Sequence, residues 1–341
     1  MQSPMSSLSR ALVLASALAA LAFAEARAAT DPPGPSQESS SASAKLQEVT
    51  VTAQRRQLLP RVQRFVNQIV VPENGGDEGI ARWQVPSVCP LVSGLTREQG
   101  EFILERLSEI AREAGAPLAG EDCRPNLYVL VTPQPEALLR AMEKRNRPFT
   151  FGYVTGSGSI ATSSETPRGV VDEFIRTPRA VRVWYNSNEK DPWGERLSTC
   201  QSMLTLAACA VPGATQTKAM CQPGFYFQCG RGTAGGSHVT LSAMSTFTRV
   251  FVIVDRTRLH GVNFGQLVAY VAMVGLAKLK PDANLRDAPT ILNLFNGAPE
   301  AAPAGLTAWD QAFLKSLYAT EQTAKGQSGQ IARAMVRDIV R

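Results

Sequence analysis

The stretch FGQLVAYVAMVGLAKL, residues 264–279, is the part of this sequence that most constrains the fold. Its large apolar residues recur three to five positions apart, among them Phe264, Leu267, Val271 and Leu276. Apolar residues at this spacing share one face of a helix. We therefore predict a helix here whose apolar stripe packs into the core of a domain.

The segments on either side of this stretch extend the prediction. Residues 239–244 and 249–255 (RVFVIVD) predict a β-hairpin before the helix. Residues 290–295 (TILNLF) and 305–318 (GLTAWDQAFLKSLY) follow it in a region expected to be helical. Two polar pairs have the spacing of N-terminal helix caps: Asn263 with Gln266, and Thr307 with Asp310.

The order of these segments resembles the active-site region of secreted zincin metallopeptidases. Residues 249–255 are similar to the edge strand that precedes the zinc-binding helix of that family. Residues 305–318 are similar to the segment G-L-T-x-x-D-x-x-x-L-x-x-L-Y that follows it. The resemblance implies a zincin-like arrangement of the C-terminal helices.

The residues that would perform zincin chemistry are missing from the helix. Zincins carry H-E-x-x-H-x-x-G, two imidazoles one turn apart and a Glu that activates water. Aligning the motif glycine with Gly275 places its two His positions at Val268 and Ala272, and its Glu position at Ala269. The third-ligand position of the longer metzincin motif falls on Lys278. The resemblance therefore implies a degenerate fold with no zinc site, and we predict neither a metal nor a cofactor.

The first 28 residues have the pattern of a secretory signal peptide. Arg10 precedes an apolar run, and Ala26 and Ala28 form a small-x-small cleavage site. The run is shorter than the roughly 20 apolar residues that span a membrane. We predict a chain without a transmembrane span after signal removal, exported to the periplasm or the medium.

The charge distribution argues against a nucleic-acid partner. The chain has 35 Lys and Arg against 29 Asp and Glu, a net charge of +6. Nucleic-acid surfaces need clustered basic residues rather than a mild excess spread along the chain. We expect no nucleic-acid binding.

Cysteine usage predicts disulfides. An even number of cysteines in an exported chain favours pairing over metal binding or catalysis. Cys89 and Cys123 flank one predicted helical unit and are expected to tie its ends together. The other four are expected to staple an insertion at residues 192–236: Cys200, Cys209, Cys221 and Cys229.

Residues 29–57 are predicted to be a disordered leader that contains one recognisable motif. Residues 46–56 (LQEVTVTAQRR) resemble the TonB box of TonB-dependent outer-membrane receptors. That resemblance implies strand addition to the sheet edge of an envelope protein partner, because the box binds in this way. The residues expected to contact the partner are Glu48, Val49, Val51 and Thr52. The alternative is an ordinary β-prone run.

Residues 58–341 are expected to form a single α+β domain, within the size that one core can support. We predict a mixed or antiparallel sheet with helices mainly on one face, and the cysteine-rich insertion projecting from it. Within it, residues 85–92 and 126–132 are predicted strands. They flank a helix that Thr96 and Gln99 open and Gly115 closes.

Two classes of function remain, with the first favoured. The first is an exported, noncatalytic binding or scaffold protein of the bacterial envelope, with a TonB-interacting accessory protein as a variant. The second is a periplasmic hydrolase that uses residues other than zinc ligands. Its candidate groups are Glu101, Glu105, Asp255, Asp310, His238 and His260.

Overall fold

The computed structural model of this 341-residue chain describes residues 38–71, 79–150, 168–190, 198–200, 227–229, 241, 244–280, 283, 285–297 and 299–340. The chain divides into two units, Met1–Gln47 and Glu48–Arg341. In the first unit, residues 38–47 are described, and they are helical. Within the described ranges, every helix is too short or too polar to cross a membrane.

The described residues form seven α-helices and six strands. The helices are α1 (Glu38–Ile69), α2 (Arg97–Ala114), α3 (Pro135–Thr150), α4 (Arg168–Arg176), α5 (Phe264–Leu276), α6 (Ala308–Ala319) and α7 (Gln327–Ile339). The strands are β1 (Pro90–Ser93), β2 (Leu127–Thr132), β3 (Val181–Lys190), β4 (Ser198–Cys200), β5 (Phe227–Cys229) and β6 (Met244–Asp255). Short 3₁₀ helices cover Arg256–Arg258, Ile291–Phe295 and Pro299–Ala301.

Four strands form one mixed sheet in the order β1-β2-β6-β3. The first three run parallel, with Leu127 of β2 opposite Val250 of β6, and β3 pairs antiparallel to β6 at the edge. The fold is therefore the α+β class with the mixed sheet that the sequence predicts. A separate two-stranded sheet, β4-β5, lies within the cysteine-rich region.

The helices divide unequally between the two faces of the sheet. One face carries the main core, in which Val129 and Val252 pack with buried residues of α1, α2, α5, α6 and α7. The other face carries a smaller cluster in which Phe251 and Ile253 contact Leu139 of α3 and residues of α4. Alternate residues of β6 thus point to opposite layers, as the pleat of a strand requires.

The unit β1-α2-β2 has the predicted order of strand, helix and strand, but the first strand, predicted at residues 85–92, is only the four residues Pro90–Ser93. Thr96 and Gln99 form a capping box at the start of α2, and Gly115 ends the helix in a left-handed conformation. The predicted apolar face is buried: Ile103, Leu107, Ile110 and Ala114. Helix α2 connects the parallel strands β1 and β2. It packs in the main core, on the same face of the sheet as α5.

The predicted hairpin at residues 239–255 is wrong over its described part. Residues 244–255 form one continuous strand, β6, which pairs with β3 along ten residues. Residues 245–248, which the prediction placed between two strands, lie within β6, and Thr248 donates its hydroxyl to the Asn186 carbonyl at 3.1 Å. The resemblance to zincins also implies that residues 249–255 form an edge strand. In the structure, β6 is not at the edge, since it lies between β2 and β3.

The predicted disorder of residues 29–57 is wrong from Glu38 onward, because α1 begins there. Near the C-terminal end of α1, Val62, Phe65 and Ile69 are buried and pack in the main core. A composition rich in small and polar residues does not distinguish a solvated helix from a disordered segment.

The last turn of α5 is held by three aromatic side chains, of which Trp83 is buried and Tyr185 and Tyr318 are half-buried. The carbonyl of Val274 accepts from the Tyr185 hydroxyl at 2.8 Å, and the carbonyl of Gly275 accepts from Trp83 Nε1 at 2.8 Å. The carbonyl of Leu276 accepts from the Tyr318 hydroxyl at 2.7 Å. These donors satisfy carbonyls that a helix end otherwise leaves without partners.

The predicted disulfide Cys89–Cys123 is present. It joins the residue before β1 to the loop before β2, and so closes the loop that contains α2. The predicted pairing of the other four cysteines is not covered by the described part of the chain. Cys209 and Cys221 lie outside the described residues, and for Cys200 in β4 and Cys229 in β5 only the backbone is described.

Removing this disulfide is expected to destabilise the chain by about 4 kcal/mol, because a loop of this length gains entropy in the unfolded state. The variant Cys89→Ala/Cys123→Ala isolates this bridge from the other cysteines. Urea denaturation compares the variant with the unmodified chain. Equal free energies of unfolding would contradict the prediction.

Asp310 connects the loop before α6 to the start of that helix. Its carboxylate accepts from the Thr290 hydroxyl at 2.5 Å and from the Ile291 amide at 2.9 Å. It also accepts from the amide and hydroxyl of Thr307, each at 2.9 Å. Burial raises the pKa of Asp310, and these donors act against that rise.

Replacing Asp310 by Asn is expected to lower the free energy of unfolding by about 2–3 kcal/mol, because an amide cannot accept from all four donors. Chemical denaturation measures the loss. The control Asp287→Asn, at an exposed position of the preceding loop, is expected to change stability by less than about 0.5 kcal/mol. An unchanged or raised stability of Asp310→Asn would mean that the cost of burying the charge outweighs its hydrogen bonds.

Candidate functional site

The predicted degenerate zincin positions lie on α5 but do not face an open site. Val268, Ala269 and Ala272 are 0%, 3% and 0% exposed and belong to the main core. A zinc-dependent peptidase needs its ligands at a position that water and substrate reach. These three positions therefore serve packing in this chain.

The other two motif positions, Gly275 and Lys278, also contact the rest of the fold. A Cβ at Gly275 would lie 3.3 Å from a methyl group of Leu127, so glycine permits the close approach of α5 to β2. Lys278 lies beyond the end of α5, where its carbonyl accepts from the Val71 amide at 3.3 Å. The glycine on which the motif alignment depends is thus explained by packing.

Several candidate groups for a hydrolase are engaged in local contacts. Glu101 accepts from Nε of Arg97 at 2.7 Å on the exposed side of α2. Asp255 accepts from the amide and hydroxyl of Thr257 at 3.0 and 2.6 Å, and it lies 3.4 Å from Nε of Arg258. Asp255 thereby caps the 3₁₀ helix that follows β6.

The remaining hydrolase candidates do not form a constellation among the described residues. Asp310 is buried in the contacts given above, whereas Glu105 and His260 are exposed. His238 lies outside the described residues. None of the described candidates lines the cleft at the edge of the sheet, which is described next.

A cleft of about 500 Å³ lies at the edge of the sheet where the three parallel strands end. The loop after β1 and the loop after β6 form its sides, so the starts of α2 and α5 both border it. In sheets with parallel strands, this edge is the usual place for a ligand. The sequence prediction missed the cleft, because it depends on which strands are neighbours.

The walls of the cleft are mainly apolar. Gly94 has a φ of +89°, and a Cβ there would lie 1.8 Å from the Val131 carbonyl oxygen, so only glycine allows this approach. The apolar lining residues are Leu95, Val131, Leu259, Val262, Phe264 and Leu267. The polar ones are Thr96, Gln99, Arg256 and Asn263.

The cleft has a positive electrostatic character. Arg256 lines it and forms no ion pair with any described residue. The starts of two α-helices add partial positive charge from their peptide dipoles. Of the described lining residues, Arg256 carries the single full charge.

An exposed aromatic pair stands at the rim. Phe264 of α5 is 37% exposed and Phe102 of α2 is 45% exposed. Their ring centroids are 6.5 Å apart in an edge-to-face arrangement. Large apolar side chains left in water beside an apolar cleft are typical of a binding surface.

The four positions of the TonB-like segment lie in α1 and are helical. Glu48, Val49 and Thr52 are exposed, Val49 at 67%, and Val51 is half-buried. Strand addition requires an extended segment. Such a contact would require this part of α1 to unwind.

Restoring the zincin residues is expected to destabilise the chain rather than create a zinc site. The change Val268→His, Ala269→Glu and Ala272→His places three polar groups in a filled core, with an expected loss of about 3 kcal/mol or more. Thermal unfolding and zinc analysis measure the two effects. The control Glu101→His/Glu105→His places two histidines four residues apart on the exposed side of α2. Stoichiometric zinc in a stable triple variant would contradict the prediction.

Comparison with known proteins gives no further identification. No group of three or more His, Cys, Asp or Glu side chains suited to a metal occurs among the described residues. No protein-family model, curated protein or solved structure matches the chain. The geometry of the cleft is therefore the main guide to a function.

Proposed function

We propose that this chain is an exported, noncatalytic binding protein whose cleft holds a small amphipathic carboxylate. The observation that carries the proposal is the cleft of about 500 Å³ between the starts of α2 and α5. Its volume falls within the usual range for small-molecule sites, which is about 300–1,000 Å³.

The lining of the cleft matches the two parts of such a ligand. Leu95, Val131 and Leu267 provide apolar contacts for a hydrocarbon chain. Arg256, which forms no ion pair with a described residue, provides a bidentate partner for a carboxylate. The exposed ring of Phe264 at the rim covers part of the ligand.

The absence of catalytic groups from the described lining favours binding over hydrolysis. The guanidinium of Arg256 is a hydrogen-bond donor and not a general acid or base. The hydroxyl of Thr96 already accepts from the Gln99 amide in the capping box. A nucleophile would need an adjacent base.

The proposed setting is the periplasm or the external medium. The disulfide Cys89–Cys123 supports an oxidising compartment, because such bonds persist there and are rare in the cytosol. A relation to a degenerate zincin remains part of the proposal. Its support is the order of β6, α5 and α6 and the apolar character of the motif positions.

The proposal is tested by calorimetric titration of the purified chain with decanoate, an amphipathic carboxylate. We expect one saturable site per chain. Arg256→Gln is expected to weaken decanoate binding about tenfold or more, since a hydrogen bond to a charged group contributes about 1.5–3 kcal/mol. Phe264→Ala is expected to weaken it through lost apolar contact.

The matched control is Arg258→Gln, two residues from Arg256 in the same 3₁₀ helix and not part of the lining. It is expected to leave decanoate affinity within twofold of the unmodified chain. Decylamine, with the same hydrocarbon chain and the opposite charge, is expected not to bind. No measurable decanoate binding, or equal losses in the two arginine variants, would contradict the proposal.

A further inference from the structure

The helices α1 and α7, from opposite ends of the described chain, lie side by side and run antiparallel. Near one end of the pair, Nη2 of Arg55 in α1 donates to the Val340 carbonyl, just after α7, at 3.1 Å. Near the other end, Oε1 of Gln63 in α1 lies 3.8 Å from the position of a Cβ at Gly329, close to the start of α7. Both helices bury an apolar face in the main core. Their remaining exposed residues therefore share one surface.

This shared surface is rich in arginine. Residues 49–69 of α1 and 327–339 of α7 contain six arginines and a single carboxylate, Asp338. That carboxylate lies 3.8 Å from Nζ of Lys315 in α6. Arg55 is half-buried, and the other five arginines are exposed. We call these five the basic face: Arg56, Arg61, Arg64, Arg333 and Arg337.

The arginines of the basic face have no counter-charges nearby. Among the described residues, none of the five forms an ion pair. The arginines of α2 differ, since Arg97 pairs with Glu101 at 2.7 Å and Arg106 pairs with Glu109 at 2.7 Å. An adjacent carboxylate offsets the positive charge of those two arginines, whereas the basic face keeps its full charge.

The positive charge of this chain is thus concentrated in space. Six arginines against Asp338 give the two helical segments a local charge of +5, compared with +6 for the whole chain. Because α1 and α7 are far apart in the sequence, the same excess looks mild and dispersed when it is counted along the chain. A surface of one sign attracts and orients a partner of the opposite sign.

The composition of the basic face favours a lipid surface over a nucleic acid. Proteins hold single strands with aromatic rings on which the bases stack. The one aromatic residue of the two helical segments, Phe65, is 1% exposed. Duplex DNA is read by an element that enters a groove, whereas α1 and α7 form a broad surface together. Basic residues clustered on a helix surface are typical of contact with anionic lipids, whose phosphate groups guanidinium binds well.

We propose that the basic face binds the phosphate headgroups of an anionic phospholipid bilayer. The five arginines contact the headgroups from the outside, and the core-facing sides of α1 and α7 stay packed. None of the five lines the cleft. The membrane contact is therefore independent of carboxylate binding in the cleft.

The test is co-sedimentation of the purified chain with lipid vesicles. We expect the chain to bind vesicles of equal parts phosphatidylglycerol and phosphatidylcholine, and not vesicles of phosphatidylcholine alone. Binding is expected to fall as sodium chloride is raised, because salt screens charges at an exposed surface.

The variant Arg333→Gln/Arg337→Gln is expected to lower the affinity for the phosphatidylglycerol vesicles about tenfold or more, since each basic residue near such a surface changes affinity about fivefold. The matched control is Arg97→Gln/Arg106→Gln, which removes the same charge from two exposed, ion-paired positions of α2. It is expected to stay within twofold of the unmodified chain. Thermal unfolding checks that both variants fold.

Three outcomes would overturn the proposal. The first is no binding to the phosphatidylglycerol vesicles. The second is an equal loss in the two double variants, which would assign the binding to net charge rather than to the basic face. The third is tighter binding to an oligonucleotide than to the vesicles at the same salt concentration, with the oligonucleotide affinity lost in Arg333→Gln/Arg337→Gln, which would assign the basic face to nucleic acid.

Discussion

The burial of helix α5 is the constraint on which the rest of this structure depends. Its residues from Gln266 to Leu276 are all buried, so the helix has no face that it offers to water. A helix that is apolar on all sides must be enclosed by other elements. Here β2 approaches it at Gly275, and Phe295 contacts Tyr270 in an edge-to-face pair 4.9 Å between centroids. Because neighbouring elements cover the sides of α5, only the two ends of this helix are placed to border a cleft.

The two ends of α5 have different character. At its start, Asn263 and Gln266 form a capping box and the helix dipole borders the cleft. At its end, three aromatic donors satisfy the carbonyls, and burial raises the pKa of both tyrosines among them, Tyr185 and Tyr318. These phenols therefore act as fixed hydrogen-bond donors and not as acids in the physiological range. The start of α5 therefore borders the cleft, whereas the end of α5 is fixed to the rest of the fold by hydrogen bonds.

The distribution of charge is the basis on which we propose binding rather than catalysis for this chain. Three of the described carboxylates among the hydrolase candidates accept from nearby donors: Glu101 from Arg97, Asp255 from Thr257 and Asp310 from Thr290. Two arginines stand in the opposite situation. Arg256 in the cleft forms no ion pair with a described residue, and Nη1 of Arg82 in the interior has no described partner. An arginine without a counter-charge is suited to an anionic partner.

The sequence by itself determined the elements whose signals are local. Capping boxes at Thr96 and Asn263 and the apolar periodicity of α2 follow from spacing along the chain. The sequence also predicts the helix α5, but Phe264 of its predicted apolar stripe is exposed. The positions of Cys89 and Cys123 favour their pairing without fixing it, since six cysteines allow 15 connectivities. The tertiary structure decided whatever depends on neighbours from distant parts of the sequence. It made β6 one central strand because β3 pairs along its length, and residues 38–57 are helical. The cleft belongs to the same class, since Val131 and Arg256 line it from segments more than about 100 residues apart, and no local pattern records which segments will meet.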